Sequence, residues 1–236
     1  MPTPSQLLAF IFTLLSGSAI ADDCHPLPSP DLPQYLVGYG SLMEEASRLH
    51  TAPSAKVAWP VRVQGFRRAW IAQGSPVGFS TTFLGIAAEP KATMNAVIFA
   101  LASDAELANM DAREGGYCRV AVSSARVTML GPDAPPPGEA WIYVNQSGRT
   151  AAPSPRFPIV QSYVDLFLNG CLQIERKHQI AGFAEECISN THGWSKHWVN
   201  DRLYPRRPFI HESNAGAIDA MLQRKLPGQF KAIRIE

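Results

Sequence analysis

Hydrophobic positions follow a strand-like rhythm through the first half of the chain and a helical one through the second. Tyr35-Leu36-Val37 is a β-prone run that breaks into Gly38-Tyr39-Gly40, then Ser41 and the helix-compatible stretch Leu42 to Leu49. A short helix over Glu44 to His50 is predicted to end at the turn Thr51-Ala52-Pro53-Ser54. Val57 to Ile71 sets Val61, Val63, Phe66 and Trp70 against Arg62, Arg67 and Arg68, an extended segment with Gly65 as a bend or bulge. Thr81 to Ala88 and Met94 to Leu101 are β-branched and aromatic runs parted by Glu89-Pro90-Lys91, which predicts two paired strands. Ser103 starts a helix as its N-cap, with Asp104 and Glu106 in the first turn and Leu107 and Met110 on one face. Gly115-Gly116 stops that helix and leaves Glu114 at its C-terminal end. Tyr117 to Leu130 and Ala140 to Val144 read as further strands around a Pro-rich loop, Gly131 to Gly138.

After Pro158 the period changes. Ile159, Tyr163, Leu166 and Phe167 recur at helical spacing, predicting a helix that runs past Gly170 to about Lys177. Gly182 to Ile188 and Ala217 to Arg224 read as shorter helices, Trp194 to Tyr204 as helical or irregular, and Phe230 to Ile235 as a closing strand. Strands first and helices later predict an α+β fold with a mixed sheet or small barrel.

At 236 residues, 46% of them hydrophobic, the chain is long enough for one sizeable core. Its 21 basic and 20 acidic side chains leave a net charge of +1, so no global field points to nucleic acid or an anionic membrane. Leu7 to Leu15 is apolar but too short to span a bilayer, and Ala19-Ile20-Ala21 has the small-x-small pattern of a signal-peptidase site. No Lys or Arg lies in Met1 to Gln6, which departs from the usual leader pattern. The expected organisation is a signal peptide over 1–21, a Pro-rich linker over 22–34, a main domain over 35–170 and a C-terminal extension over 171–236 packed on it. Export to a periplasmic or extracellular space follows, with no membrane span in the mature chain. Cys24, Cys118, Cys171 and Cys187 then permit two disulfides in three connectivities; the pairing is open, as is a buried free thiol at each of the last three. None has CxxC spacing.

Two stretches carry candidate chemistry. Glycines 38 and 40 allow close backbone approach and positive φ, so successive N–H groups can converge on an anion, with Ser41 able to cap the following helix. Taken by itself the stretch reads first as an ordinary strand–turn–helix junction. Glu114 faces the negative end of a helix dipole, which suits a proton acceptor in a dry site. Taken alone it reads first as a solvated helix-end residue.

Together, Tyr39-Gly40-Ser41-Leu42 and, about 70 residues later, Glu114-Gly115-Gly116-Tyr117 resemble the γ-glutamylcyclotransferase superfamily, with its AIG2-like and ChaC-like branches. A third similarity is Pro158-Ile159-Val160-Gln161-Ser162-Tyr163, opening a late helix that contains Gly170. The resemblance covers Tyr35 to Gly170. It implies a compact mixed β-barrel with surrounding helices and a reaction without metal or cofactor, in which a small γ-glutamyl substrate releases 5-oxoproline. It further implies Glu114 as catalytic acid/base, with Tyr39, Gly40, Ser41, Leu42 and Tyr163 binding substrate. The extension from Cys171 onwards and the exported location depart from the family pattern and leave the leaving amine open. A binding module of the same fold, holding a small acidic ligand, is the alternative. His192, His197 and Asp201 read as neighbours of an aromatic cluster around Trp194 and Trp198 rather than as metal ligands, and Arg202, Arg206 and Arg207 as solvated or carboxylate-paired.

Overall fold

A computed structural model of the chain describes residues 24–75, 80–146, 148–206 and 214–236. The expected signal peptide lies outside the described residues, as does Arg207. The strands are β1 (Gln34–Gly38), β2 (Ala58–Gln73), β3 (Thr82–Leu101), β4 (Tyr117–Ala121), β5 (Val127–Met129), β6 (Glu139–Asn145), β7 (Ile159–Val160), β8 (Thr191–His192), β9 (Trp198–Asn200) and β10 (Arg234–Ile235). The helices are α1 (Glu45–Thr51), α2 (Asp104–Arg113), α3 (Gln161–His178), α4 (Phe183–Ser189), α5 (Ala215–Lys225) and α6 (Pro227–Lys231). The fold is α+β. Its main sheet has the order β4-β6-β1-β3-β2-β5, with β8 beside β2, and it is mixed because β1 runs antiparallel to β3 and parallel to β6. A small sheet, β10-β9-β7, is parallel throughout.

Strand alternation gives the main sheet two different faces. Leu36, Val97, Phe99, Trp141 and Tyr143 point to the helices, where α3 buries Tyr163, Val164, Phe167 and Leu168 against them. Tyr35, Val37, Val61, Val63, Met94, Ala96, Ile98 and Ile142 point the other way. That second cluster draws its members from the strands and their connections alone, so the sheet curls and packs this face on itself. Each fully buried aliphatic or aromatic side chain contributes about 1.5–3 kcal/mol. The pairings among described residues trace an open path rather than the closed ring of a barrel.

Gly65 is the expected bulge, with φ +94° and a register shift between Gln64 and Phe66. The two strands expected around Glu89-Pro90-Lys91 are one. β3 continues through them, because Pro90 falls where the ladder is already broken, between the pairs Gln64↔Thr93 and Phe66↔Ala88, and removes no ladder bond. Conversely, the expected strand Tyr117 to Leu130 is two. β4 pairs with β6 and β5 with β2, separated by a 3₁₀ turn at Ser124–Arg126. Ile159 and Val160 are strand rather than helix, and the chain closes with a helical turn followed by two strand residues.

Both disulfides form. Cys24–Cys118 ties the start of the linker to β4, and Cys171–Cys187 ties α3 to α4, so none of the four is a free thiol. Residues 171–236 contribute Phe183, Ile188, Trp198, Ile218 and Leu222 to the same core that α3 buries. Among the described residues no helix is long and apolar enough to cross a membrane.

Candidate functional site

β1 ends at Gly38, and the chain turns through a single 3₁₀ turn, Ser41–Met43, before α1. Neither Gly38 nor Gly40 has positive φ; Gly40 sits at φ −126°, ψ −125°. What both glycines share is a lack of space for a side chain. A Cβ on Gly38 would lie 2.9 Å from the Leu42 Cβ, and one on Gly40 would lie 3.0 Å from the Tyr163 hydroxyl. Ser41 does not cap a helix either: Glu44 caps α1 by accepting from the Ser47 N–H, and the Ser41 hydroxyl is used elsewhere.

The loop backbone is oriented from below by two buried arginines. Arg68 donates to the Tyr39 carbonyl at 3.2 Å, the Asn95 carbonyl and side chain, the Cys187 carbonyl and the Thr191 hydroxyl, and it lies over the Phe167 ring. Burial pushes its guanidinium down to about 9, which still leaves it charged at neutral pH. Arg48 donates to the Leu42 and Met43 carbonyls and to Ala55. In a trans peptide C=O and N–H point oppositely. With the Tyr39 carbonyl drawn down to Arg68, the Gly40 N–H is turned the other way. Met43 N–H and Glu44 N–H close the turn on Gly40 and Ser41, so the N–H groups of Ser41 and Leu42 have no acceptor within it. Above this backbone α3 comes so close at Gly170 that a Cβ there would lie 2.4 Å from the Glu44 nitrogen.

Glu114 is the C-cap of α2, and its carbonyl accepts from the Tyr117 N–H. Its carboxylate is brought to the loop by the preceding residue. Arg113 Nη2 donates to the Ser41 hydroxyl at 3.1 Å, while Nε stands 3.3 Å from Glu114 Oε1. The helix-dipole reasoning from sequence omitted this cation. Both side chains are largely shielded, at 18% and 17% exposed. Tyr163, three residues into α3, is held edge-on by Phe83 at 4.9 Å and Trp70 at 5.8 Å, with its hydroxyl over Gly40. The extension sets that ring: Asp201 accepts from the Ser162 N–H and hydroxyl, and Trp194 packs on Trp70.

The structure therefore brings Gly40, Ser41, Glu114 and Tyr163 together. Leu42 is buried in the core and offers its backbone to this space, and Tyr39 packs in the strand-only cluster with its hydroxyl donating to the Tyr143 carbonyl at 2.8 Å. Burial raises the Tyr39 hydroxyl well above its ordinary value, and Tyr117, Glu114 and Tyr163 add to the shift. Tyr143 is likewise raised, by burial and by the Asp111 carboxylate that accepts its hydroxyl bond. Neither tyrosine is a base near neutral pH.

Among the described residues no three His, Cys, Asp or Glu side chains converge as a metal-ligand set. Trp194 stacks on Trp198 at 5.1 Å, and Arg202 pairs with Asp165 and Asp219. A cleft of about 560 Å³ opens elsewhere, on the curled face between Phe66, Ile86, Val120 and Val144, and its walls include neither the loop nor Glu114. The polar and ionisable groups gather instead at the Arg113 cluster. Arg48, Arg68 and Arg113 were not singled out from the sequence; the one signal was an arginine directly before Glu114.

No family model matches the sequence, and no curated protein does. Solved structures similar to the chain include a γ-glutamyl cyclotransferase, at 17% identity over 66% of this chain and 86% of that one, TM-score 0.48. An uncharacterized protein from Homo sapiens is 16% identical over 68% of this chain and 89% of that one, TM-score 0.47. A γ-glutamyl cyclotransferase specific to glutathione from yeast is 10% identical over 69% and 98%, TM-score 0.41.

Proposed function

We propose that the chain is a γ-glutamylcyclotransferase-type enzyme that releases 5-oxoproline from a small γ-glutamyl amine or peptide. One observation carries the reading: a single guanidinium holds the Ser41 hydroxyl and the Glu114 carboxylate side by side. Arginine has no acceptor, so Ser41 Oγ accepts from Arg113 and its own O–H is left to donate outward. Donors from the loop thus stand beside an acceptor at Glu114. That polarity matches a substrate presenting carbonyl or carboxylate oxygens next to an amine, which is the γ-glutamyl unit.

In the reaction, the substrate's α-amine attacks its own γ-carbonyl carbon and closes a five-membered ring. Nucleophile and electrophile are tethered, so the protein chiefly selects the folded rotamer. Glu114 takes the proton from the attacking nitrogen. The loop N–H groups and the Ser41 hydroxyl stabilise the negative charge that develops on the γ-oxygen. The bond to the leaving amine then breaks, and Glu114 returns the proton to that nitrogen. Tyr163 closes the space over Gly40. No metal or cofactor has a part in these steps. The two disulfides favour an oxidising compartment, in keeping with export and cleavage after Ala21.

The test is product release. Purified protein incubated with γ-glutamyl dipeptides and glutathione is expected to form 5-oxoproline, and Glu114→Gln to lose at least about 100-fold in kcat, the scale of general acid–base catalysis, while folding normally. Full activity in that variant removes Glu114 from the mechanism. Calorimetric binding of 5-oxoproline or glutamate without turnover of any γ-glutamyl compound supports a binding module instead.

A further inference from the structure

Arg113 belongs to neither candidate motif as read from the sequence, yet it joins both. Nη1 donates to the Ser47 carbonyl at 2.6 Å and the Thr51 hydroxyl at 3.0 Å. Nη2 donates to the Ser41 and Ser47 hydroxyls at 3.1 and 2.9 Å, and Nε faces Glu114 Oε1 at 3.3 Å. Four hydrogen bonds to acceptors on the loop and on α1 thereby engage both terminal nitrogens, and Nε is ion-paired with Glu114 at the end of α2. Both terminal nitrogens are committed to protein oxygens and Nε faces a protein carboxylate, so the guanidinium does its work on the protein.

We propose that Arg113 is a positioning residue for γ-glutamyl cyclisation. It fixes the separation between Ser41 and Glu114 and forces the serine to be the donor of the pair, without touching the reacting atoms. This role rests on the γ-glutamyl reading of the site given above. Lysine keeps the charge but offers a single nitrogen on a flexible stem, and cannot span Ser41, Ser47, Thr51 and Glu114 together. Misplacement of a catalytic group by about 1 Å costs about 100-fold in rate.

The experiment compares Arg113→Met and Arg113→Lys with the parent protein in the 5-oxoproline assay, with the folded fraction measured for each. Arg113→Met is expected to lose about 100-fold in kcat with KM changed by less than about 3-fold, and Arg113→Lys to recover little of that loss. A kcat per folded molecule within about 2-fold of the parent in Arg113→Met overturns the proposal, as does full rescue by lysine, which would make charge rather than geometry the requirement. If the parent protein releases no 5-oxoproline, the γ-glutamyl reading itself fails. The bridge is then judged by denaturant unfolding of Arg113→Met, Ser41→Ala and Glu114→Gln, singly and in pairs. Non-additive pairs uphold Arg113 as the link between the two halves, and additive pairs refute it.

Discussion

The loop over residues 38–44 rests on guanidiniums sealed inside the protein, whereas the helix end over 111–117 carries Asp111 and Arg113, which reach water even though buried Arg119 and Tyr143 hold Asp111. Arg48 and Arg68 are almost wholly buried, and they grip the carbonyls of Tyr39, Leu42 and Met43 while α3 presses on the backbone at Glu44. On the other side, Asp111 and Arg113 remain about a fifth exposed, Gly115 and Gly116 have room for a Cβ, and the Cys24–Cys118 bond supplies the covalent tie. Donors that must converge on a developing charge benefit from rigidity, since preorganisation is what gives them their value.

The largest expected effect lies under the rigid half. Arg68→Met removes the partner of five acceptors, among them the Tyr39, Asn95 and Cys187 carbonyls, all in the buried interior. Each buried polar group left without a partner costs about 1–3 kcal/mol, so a loss of about 3 kcal/mol or more is expected on urea unfolding. A loss below about 1 kcal/mol would show that the loop does not depend on its buried cation. The same substitution should leave any surviving folded protein with a displaced loop and a higher KM.

Next in size is the tie on the other half. The Cys24–Cys118 bond spans 94 residues, and Cys24 also accepts the Arg119 N–H through its carbonyl, so the linker lies along the free edge of β4. Replacing both cysteines by serine is expected to cost about 2–4 kcal/mol. Hydrogen exchange should rise at residues 111–121 and stay slow at 36–44. Equal loss of protection in both stretches would erase the contrast between the halves.

These supports explain what could be read beforehand and what could not. The Gly65 bulge and the Ser103 cap on α2 are local signals, written in single residues and short spacings, whereas the pairing of the loop with Glu114 comes from the resemblance of two motifs about 70 residues apart. β7, β8 and β9 are two or three residues long, too short for any period to show, and they form because the extension lies beside α3 and β2. Pro90 within β3 argues against a continuous strand until the bulge opposite it is known. Least legible were Arg48, Arg68 and Arg113. An arginine in a sequence looks like surface, and only the folded chain shows carbonyls and hydroxyls gathered around it. Their concealment matters most at this site, because they set the geometry of the residues that were legible.

The smallest effect on stability, and the sharpest on the site, is expected at Gly40. Its φ of −126° is not left-handed, and the space around the added methyl is what the substitution tests. The new methyl would meet the Tyr163 hydroxyl at 3.0 Å and Leu84 at 3.7 Å. Phe83 and Trp70 flank the Tyr163 ring, so it has little freedom to retreat, and the few tenths of an ångström required must come from the loop or from the start of α3. Unfolding free energy should fall by no more than about 1 kcal/mol, the lower end of what overpacking costs. Turnover of a γ-glutamyl substrate should fall far more, because the displaced groups are those that face it. Tyr163→Phe removes the obstructing oxygen, so Gly40→Ala added to Tyr163→Phe should cost almost nothing further. If alanine at residue 40 is as harmful beside phenylalanine as beside tyrosine, the glycine is required by the substrate itself, and the close contact with Tyr163 is incidental to it.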